Sequence, residues 1–207
     1  MKYIFVAGAP GSKWSSVVKN IYFSPNIDRS DYRDEWTYYH DASGTRDLMH
    51  LGAYFDPGMA CPLPEYLDVL SKQSAEHSFD YPFAKNSSGI RIIKSHVFCY
   101  QQNLEYLKQH WPESPIVLVH RDDDACLGWW VKCGHFDITY PDYHDYYKNL
   151  KEMAKIIRNQ NEGIMTRWNY ASFVHSNTEL AAKLGIAAPP AQYQQNYADN
   201  NIRVKVL

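Results

Sequence analysis

Four short runs of apolar residues along the chain predict β-strands that are buried on both faces. None of the runs alternates with polar residues, which is typical of strands in a parallel sheet with helices packed on either side. Between the runs, apolar residues recur at helical spacing and predict amphipathic helices. The predicted strands are residues 3–7, 90–93, 116–119 and 163–166, and the predicted helices are residues 15–23, 65–72, 104–110 and 146–157.

A further helix is predicted near the end of the chain from its capping residues. Ser176 and Glu179 have the spacing of a capping box, Leu180 and Leu184 share one helical face, and Gly185 stands where a C-terminal cap glycine belongs. Strands that alternate with helices predict right-handed crossovers and an α/β fold, a three-layer open parallel sheet. Ligands of such sheets bind beyond the carboxyl ends of the strands, so we expect the functional residues there.

Two segments do not follow this pattern. Residues 24–64 are rich in Asp, Tyr, Gly and Pro and are too long for an ordinary connection, which predicts either a substrate-side insertion or irregular packing. Residues 188–207 contain two prolines and several Gln and Asn residues, and we expect an extended tail. A length of 207 residues suits a single domain with these two additions.

Composition and charge exclude several classes of function. A net charge of -2 and a pI near 6.5 argue against a broad surface for nucleic acid, although a focused anion site is compatible with them. No segment is apolar for long enough to cross a membrane, and the first apolar run is too short for a signal peptide. The four cysteines form no C-x-x-C pair, so we expect reduced thiols, a cytoplasmic location, no disulfide framework and no metal site.

The loop after the first predicted strand combines glycines, a lysine and hydroxyl groups. In a turn from strand to helix, backbone N–H groups and the helix dipole converge on an anion, so the segment Ala9 to Ser16 predicts a phosphate or sulfate site. Compared at Lys13 with the nucleotide loop G-x-x-x-x-G-K-S/T, the chain has Ser12 for the glycine and Trp14 for the hydroxyl residue. Without that hydroxyl as a magnesium ligand, hydrolysis of ATP or GTP is disfavoured more than anion binding.

Two further predicted strands end in residues suited to catalysis and anion binding. Lys94 and His96 follow the strand at 90–93, and a histidine serves well as a general base near neutral pH. Arg121 follows the strand at 116–119, and its guanidinium can bind a phosphate through two hydrogen bonds. The acidic residues after Arg121 could instead pair with it, or simply begin the next helix.

Taken in order, these motifs resemble those of the sulfotransferases that use 3'-phosphoadenosine 5'-phosphosulfate (PAPS). The family's first loop reads P-K-S-G-T-T-W or P-R-S-G-T-T, and the chain has Pro10-Gly11-Ser12-Lys13-Trp14-Ser15. The family's K-T-H is similar to Lys94-Ser95-His96, and its strand that ends in a phosphate-binding arginine is similar to residues 116–124. Residues 166–170 and the capped helix after them look like the family's final strand, loop and helix.

The resemblance implies a P-loop-like sulfotransferase fold and a role for each candidate residue. His96 would take a proton from the acceptor, Lys94 and Lys13 would stabilise the departing oxygen, and Arg121 would bind the 3'-phosphate. The acceptor would be a small molecule, sugar or peptide with a hydroxyl or amine group, and no metal ion is implied. The cofactor-binding residues of the loop would be Pro10, Gly11, Ser12, Lys13, Trp14, Ser15 and Ser16.

The chain departs from the family pattern at three places, and two other functions stay open. The family's loop Lys or Arg falls at Gly11, the serine eight positions after Arg121 is replaced by Trp129, with Gly128 one position earlier, and no C-terminal G-x-x-G-x-x-K is present. A catalytically silent nucleotide-binding or interaction module of the same fold is one alternative. A P-loop small-molecule kinase is the other, and it requires a magnesium site.

Overall fold

The computed structural model describes most of the chain. The described residues are 1–32, 38–40, 46–48, 51–55, 57–58, 63, 76–132, 149–167, 173–198 and 201–207. The predicted helix at 65–72 and the first three residues of the predicted helix at 146–157 lie outside them.

A six-stranded, mainly parallel sheet forms the centre of the fold. Its spatial order is β4-β5-β1-β6-β8-β7, and β8 runs antiparallel to both of its neighbours. A separate antiparallel pair, β2 and β3, lies within the segment predicted as an insertion. The strands are β1 (Tyr3–Gly8), β2 (Tyr38–His40), β3 (Arg46–Leu48), β4 (Ala53–Tyr54), β5 (Arg91–Ser95), β6 (Ile116–His120), β7 (Phe173–Val174) and β8 (Arg203–Val206).

Helices cover both faces of this sheet, which confirms the predicted α/β class and its three layers. One buried cluster joins Phe5 of β1 to Leu104 of α2 and Ile164 of α4. The other joins Val6 of β1 to residues of α1 and α5 on the opposite face. The helices are α1 (Trp14–Tyr22), α2 (Gln101–His110), α3 (Asp123–Lys132), α4 (Leu150–Met165) and α5 (Asn177–Leu184), with shorter 3-10 turns at Val97–Cys99 and Ala191–Tyr193.

Three of the four predicted strands are confirmed, as β1, β5 and β6, but the strand predicted at 163–166 is wrong. Its apolar residues form the last turn of α4, where Ile164 continues the buried stripe of Ile157. A short apolar run does not distinguish a strand from the end of a helix. The glycine in this run, Gly163, allows close packing, because a Cβ atom there would lie 2.1 Å from the carbonyl oxygen of Cys99.

Two segments in which no strand was predicted supply strands of the main sheet. β4 lies in the segment predicted as an insertion and pairs in parallel with β5. β8 lies in the segment predicted as a tail and inserts between β6 and β7. The end of the chain is therefore part of the sheet.

The predicted caps of the C-terminal helix are confirmed. The Ser176 hydroxyl accepts a hydrogen bond from the Glu179 N–H at 3.2 Å, and Glu179 in turn accepts from the His175 N–H at 2.8 Å. Gly185 ends α5 in the left-handed conformation, with φ 67°. The capping residues thus set both ends of α5.

An ion-pair network at the N-terminal end of β5 joins it to neighbouring segments of the chain. Arg91 binds Asp28 at 3.1 Å and Asp80 at 2.6 Å, and Lys2 binds the other oxygen of Asp80 at 2.8 Å. Burial tends to raise the pKa of Asp28, but hydrogen bonds from Ser87 and other groups outweigh it, so the pKa lies below its usual value. The pKa of Asp80 is lowered in the same way, against the effect of its burial, by Lys2 and Arg91.

Arg91→Lys is expected to lower the free energy of unfolding by about 1–2 kcal/mol at pH 7, because lysine lacks the planar fork of N–H donors with which the guanidinium contacts Asp28 and Asp80. The folded pKa values of both aspartates are depressed, so this stability is present above about pH 4 and is lost as the pH falls through the folded values. Urea unfolding at pH 7 and pH 3 measures both effects. Arg167→Lys, at the exposed pair with Glu105, is the control and should change stability by less than about 0.5 kcal/mol.

Candidate anion-binding site

The carboxyl ends of three adjacent strands bring the predicted motifs together. β1 lies between β5 and β6, and its last residues pair with theirs, with Ala7 opposite Ser95 and Gly8 opposite Val119. The loop at 9–13, His96 and Arg121 each follow one of these strands. The sheet therefore gathers segments that are distant in sequence at one edge.

The loop bends sharply into α1 through two residues with left-handed backbones. Gly11 has φ 79° and Lys13 has φ 61°, and Lys13 is the residue that precedes the first turn of α1. The Ser12 N–H closes a turn on the Ala9 carbonyl at 3.0 Å. The first N–H groups of α1 have no partners within the helix, so the positive end of its dipole lies at this loop.

The position of the bend changes the comparison with the nucleotide loop. Counted from Gly8, the pattern G-x-x-x-x-G-K-S/T places its second glycine at Lys13, its lysine at Trp14 and its hydroxyl at Ser15. The left-handed φ of Lys13 agrees with this register, because glycine adopts that conformation most readily. In this register the chain has Ser15 where the pattern requires a hydroxyl residue, and it has Trp14 in place of the pattern's lysine. The comparison made at Lys13 had indicated instead that the hydroxyl residue was missing.

Gly11 lies directly against α3. A Cβ atom there would be 2.0 Å from the carbonyl oxygen of Cys126. The same backbone contact leaves no room for the lysine or arginine that the sulfotransferase pattern has at this position. Any side chain at position 11 would therefore collide with α3.

Two polar atoms at the loop are buried without a hydrogen-bond partner among the described residues. The hydroxyl of Ser12, which is 0% exposed, is one of them, and the Nε atom of Arg121 is the other. Buried polar groups are nearly always paired, so unpaired donors at a site call for an acceptor. An anion oxygen is an acceptor of the required kind.

Arg121 is tied to the loop and not to the acidic residues that follow it. One of its terminal nitrogens donates to the Gly11 carbonyl at 3.1 Å. Asp122 forms an ion pair with Arg203 at 3.5 Å instead. The guanidinium therefore lies beside the loop, as the anion-site hypothesis requires.

Asn161 supports Arg121 from α4, and sequence reasoning missed it. Its side-chain nitrogen donates to the Arg121 carbonyl at 2.9 Å and to the Asp123 carboxylate at 2.6 Å. Asn161 is 40 residues from Arg121 and sits within a helix, where no local pattern distinguishes it. Only the tertiary structure reveals this contact.

Lys13 extends toward α3. Its ammonium lies 4.4 Å from the centre of the Trp129 ring, a cation–π contact. The sequence comparison expected a serine at the position of Trp129, and the Trp129 ring contacts the loop lysine instead. Lys13 and Arg121 therefore both have contacts on the α3 side of the loop.

His96 is oriented by the residues on either side of the loop. Its Nδ1 lies 2.6 Å from the carbonyl oxygen of Gly8. A carbonyl only accepts hydrogen bonds, so Nδ1 carries the proton and, in the neutral ring, Nε2 carries the lone pair. The Trp14 ring stacks on the imidazole at 4.1 Å, and Tyr54, which is 42% exposed, contacts its edge at 5.7 Å.

Lys94, in contrast, is enclosed. Its side chain is 1% exposed, its ammonium donates to the Leu51 carbonyl at 2.8 Å, and the Trp14 ring lies 5.9 Å away. Burial lowers the pKa of Lys94 to about 7, against a smaller opposing effect of the Asp31 carboxylate. The structure thus joins Lys94 to the segment before β4, while Lys13, His96 and Arg121 contact the loop or α3.

Lys94→Met is expected to flatten the pH dependence of stability above pH 7. The unfolded lysine keeps its proton up to about pH 10, whereas the folded one loses it near pH 7, so wild-type stability should rise with pH in this window. Between pH 7 and pH 9 the wild type should gain on the order of 2 kcal/mol relative to the variant. Urea unfolding at several pH values measures this, with exposed Lys155→Met as the control; parallel curves for wild type and Lys94→Met would contradict the assignment.

The comparisons with known proteins give no family. The chain matches no protein-family model, no curated protein and no solved structure. Among the described residues, no helix is both long enough and apolar enough to cross a membrane, and no group of three His, Cys, Asp or Glu side chains could hold a metal ion.

Proposed function

We propose that this chain is a sulfotransferase that moves a sulfuryl group from PAPS to a hydroxyl or amine acceptor. The observation that carries the proposal is the contact between His96 and Gly8, because it puts a base of defined tautomer at the residue directly before an anion-binding loop. The backbone conformation of Lys13 also supports the proposal. The glycine of the family's P-K-S-G-T-T pattern falls at Lys13, and this chain makes the left-handed bend at that residue.

The donors at the loop fit the anionic groups of PAPS. The Ser12 hydroxyl, the N-terminus of α1 and the Lys13 ammonium would bind the 5'-phosphosulfate, and Arg121 would bind the 3'-phosphate. The unpartnered Ser12 hydroxyl and Arg121 Nε are the atoms that the ligand would satisfy. Ser15 and Ser16 stand in the first turn of α1, next to the same groups.

When bound, PAPS supplies a sulfuryl group whose bond to the 5'-phosphate oxygen breaks as the acceptor oxygen or nitrogen bonds to sulfur. His96 Nε2 takes the proton that the acceptor loses. The α1 N-terminus and Lys13 stabilise the negative charge left on the phosphate oxygen. Lys94 does not face this charge, and its contact with Leu51 holds β4, the strand that carries Tyr54.

We place the acceptor on the β4 side of His96. Tyr54 is exposed there and contacts both the His96 and the Trp14 rings, at 5.7 and 6.0 Å. Tyr54 belongs to residues 24–64, which the sequence predicts as either a substrate-side insertion or irregular packing. Its ring offers a flat surface to a sugar, a phenol or a tyrosyl peptide.

Incubation of the purified chain with PAPS and a panel of such acceptors, without magnesium, tests the proposal. Formation of 3'-phosphoadenosine 5'-phosphate (PAP) together with a sulfated acceptor is the expected result. PAP binding without turnover on any acceptor would favour the silent module. Phosphorylation of an acceptor from ATP and magnesium would favour the kinase, which the hydroxyl of Ser15 at the magnesium position of the pattern keeps open.

A further inference from the structure

We infer that Trp14 is a positioning residue that holds the imidazole of His96 in the orientation for proton transfer. The inference rests on the proposed function, since it assigns a role to Trp14 in the same reaction. It differs from the role in cofactor binding that the sequence resemblance implies for this residue. Trp14 acts through His96 and not on the ligand.

Three of the contacts that His96 makes with described residues restrict different motions of its ring. The hydrogen bond from Nδ1 to Gly8 sets the rotation of the ring within its plane. The Trp14 stack, with centroids 4.1 Å apart and planes within 17°, sets the plane itself. The Tyr54 ring packs against the imidazole with an angle of 71° between the two ring planes, and it limits movement of the imidazole on that side. A single hydrogen bond would leave the plane free to swing about the bond, so the stack is the contact that completes the orientation.

The position of Trp14 in the chain makes it suited to this role. It is the first residue of α1, its ring is 8% exposed, and the edge of Tyr54 also packs against it at 6.0 Å. Burial and the contact with Tyr54 therefore hold the Trp14 side chain independently of its contact with His96. An indole also presents the largest flat face among the side chains, which suits it to cover an imidazole.

Both groups that hold His96 flank the anion loop: the Gly8 carbonyl is at the end of β1, directly before the loop, and Trp14 is the first residue of α1, directly after it. The base is therefore carried by the structure that binds the donor of the transferred group. Misplacement of a catalytic group by about 1 Å can cost about 100-fold in rate. Substitution of Trp14 leaves its backbone N–H in the first turn of α1, so anion binding should change little.

Nuclear magnetic resonance of the free protein tests the arrangement without any substrate. In the wild type, we expect the carbon-bound ring protons of His96 to be shifted upfield by the ring current of Trp14, and the neutral ring to carry its proton on Nδ1. Trp14→Phe should keep both features, and Trp14→Leu should lose the shift and populate both tautomers. Trp111→Phe, at an equally buried tryptophan of the opposite cluster, is the control and should leave the His96 signals unchanged.

The rate of PAP formation completes the test. Trp14→Leu should lower kcat at least about tenfold while the Kd for PAP stays within about twofold, and Trp14→Phe should restore most of the rate.

Wild-type spectra without the upfield shift, or Trp14→Leu with unchanged spectra and rate, would overturn the inference. If the wild type shows the expected spectra but transfers no sulfuryl group, the proposed function fails, and with it the role of Trp14 in proton transfer, while the stacked geometry stands. If Trp14→Leu does not fold, the wild-type spectra and the Trp14→Phe rate still decide.

Discussion

Replacing Gly11 with alanine is expected to lower the free energy of unfolding by about 3 kcal/mol and to weaken anion binding. The left-handed φ of 79° costs a non-glycine residue about 1 kcal/mol. The added Cβ would also lie 2.0 Å from the Cys126 carbonyl, and a backbone atom of a helix cannot move aside cheaply. Such overpacking costs a further 1–3 kcal/mol, as an order-of-magnitude estimate.

Gly185→Ala is the matched control for the backbone part of this cost. Gly185 also has a left-handed φ, of 67°, but nothing lies within 4 Å of a Cβ atom there. Its substitution should therefore cost about 1 kcal/mol. Urea unfolding of the two variants separates the steric contribution, and equal losses would show that α3 does not press on the loop as described.

His96→Asn is expected to lower the rate of sulfuryl transfer by about 100- to 10,000-fold, the usual contribution of a general base. The asparagine amide can donate to the Gly8 carbonyl in place of Nδ1 but cannot take a proton. PAP binding and stability should therefore change little. PAP formation at saturating substrate measures the rate.

His110→Asn is the control for the general effect of removing a histidine. His110 Nδ1 also contacts a backbone carbonyl, that of Tyr106, at 2.9 Å, and its ring stacks on an aromatic ring, but it lies on α2. This variant should keep the full rate. A fall of less than about tenfold in His96→Asn would remove His96 from the role of base.

The central part of the fold could be predicted because its sequence signals are local. The runs that form β1, β5 and β6 are continuously apolar, as expected for strands buried on both faces. The caps of α5 are set by residues within the same few turns, Ser176, Glu179 and Gly185. In both cases the side chains that decide the structure are neighbours in the sequence.

Two other strands of the sheet, β8 and β4, were not predicted. β8 has a strand signal in its own sequence, because Ile202, Val204 and Val206 alternate with Arg203 and Lys205, but the Gln, Asn and Pro residues before it favoured an extended tail. β4 has only two residues, too few for any period to show. The apolar residues at 163–166 were assigned to a strand because the helical stripe of α4 that they continue was predicted only as far as residue 157.

The candidate site shows the same division between local and long-range signals. The sequence placed the loop, His96 and Arg121 at strand ends, and the parallel sheet brings those ends together. It could not show that Lys94 turns into the interior, because burial depends on Leu51 and Trp14 from other segments. The contacts of Asn161 with Arg121 and of Trp14 with His96 also join distant parts of the chain.

Calorimetric titration of the wild-type chain with PAP in the absence of magnesium tests the central claim most directly. ATP with and without magnesium is the comparison, Arg121→Ala is the test variant, and Arg29→Ala, at an exposed arginine, is the control for charge. Binding of PAP without magnesium that weakens about 10- to 100-fold in Arg121→Ala, and not in Arg29→Ala, is the predicted result. Absence of PAP binding, or binding that Arg121→Ala leaves unchanged, would contradict the account.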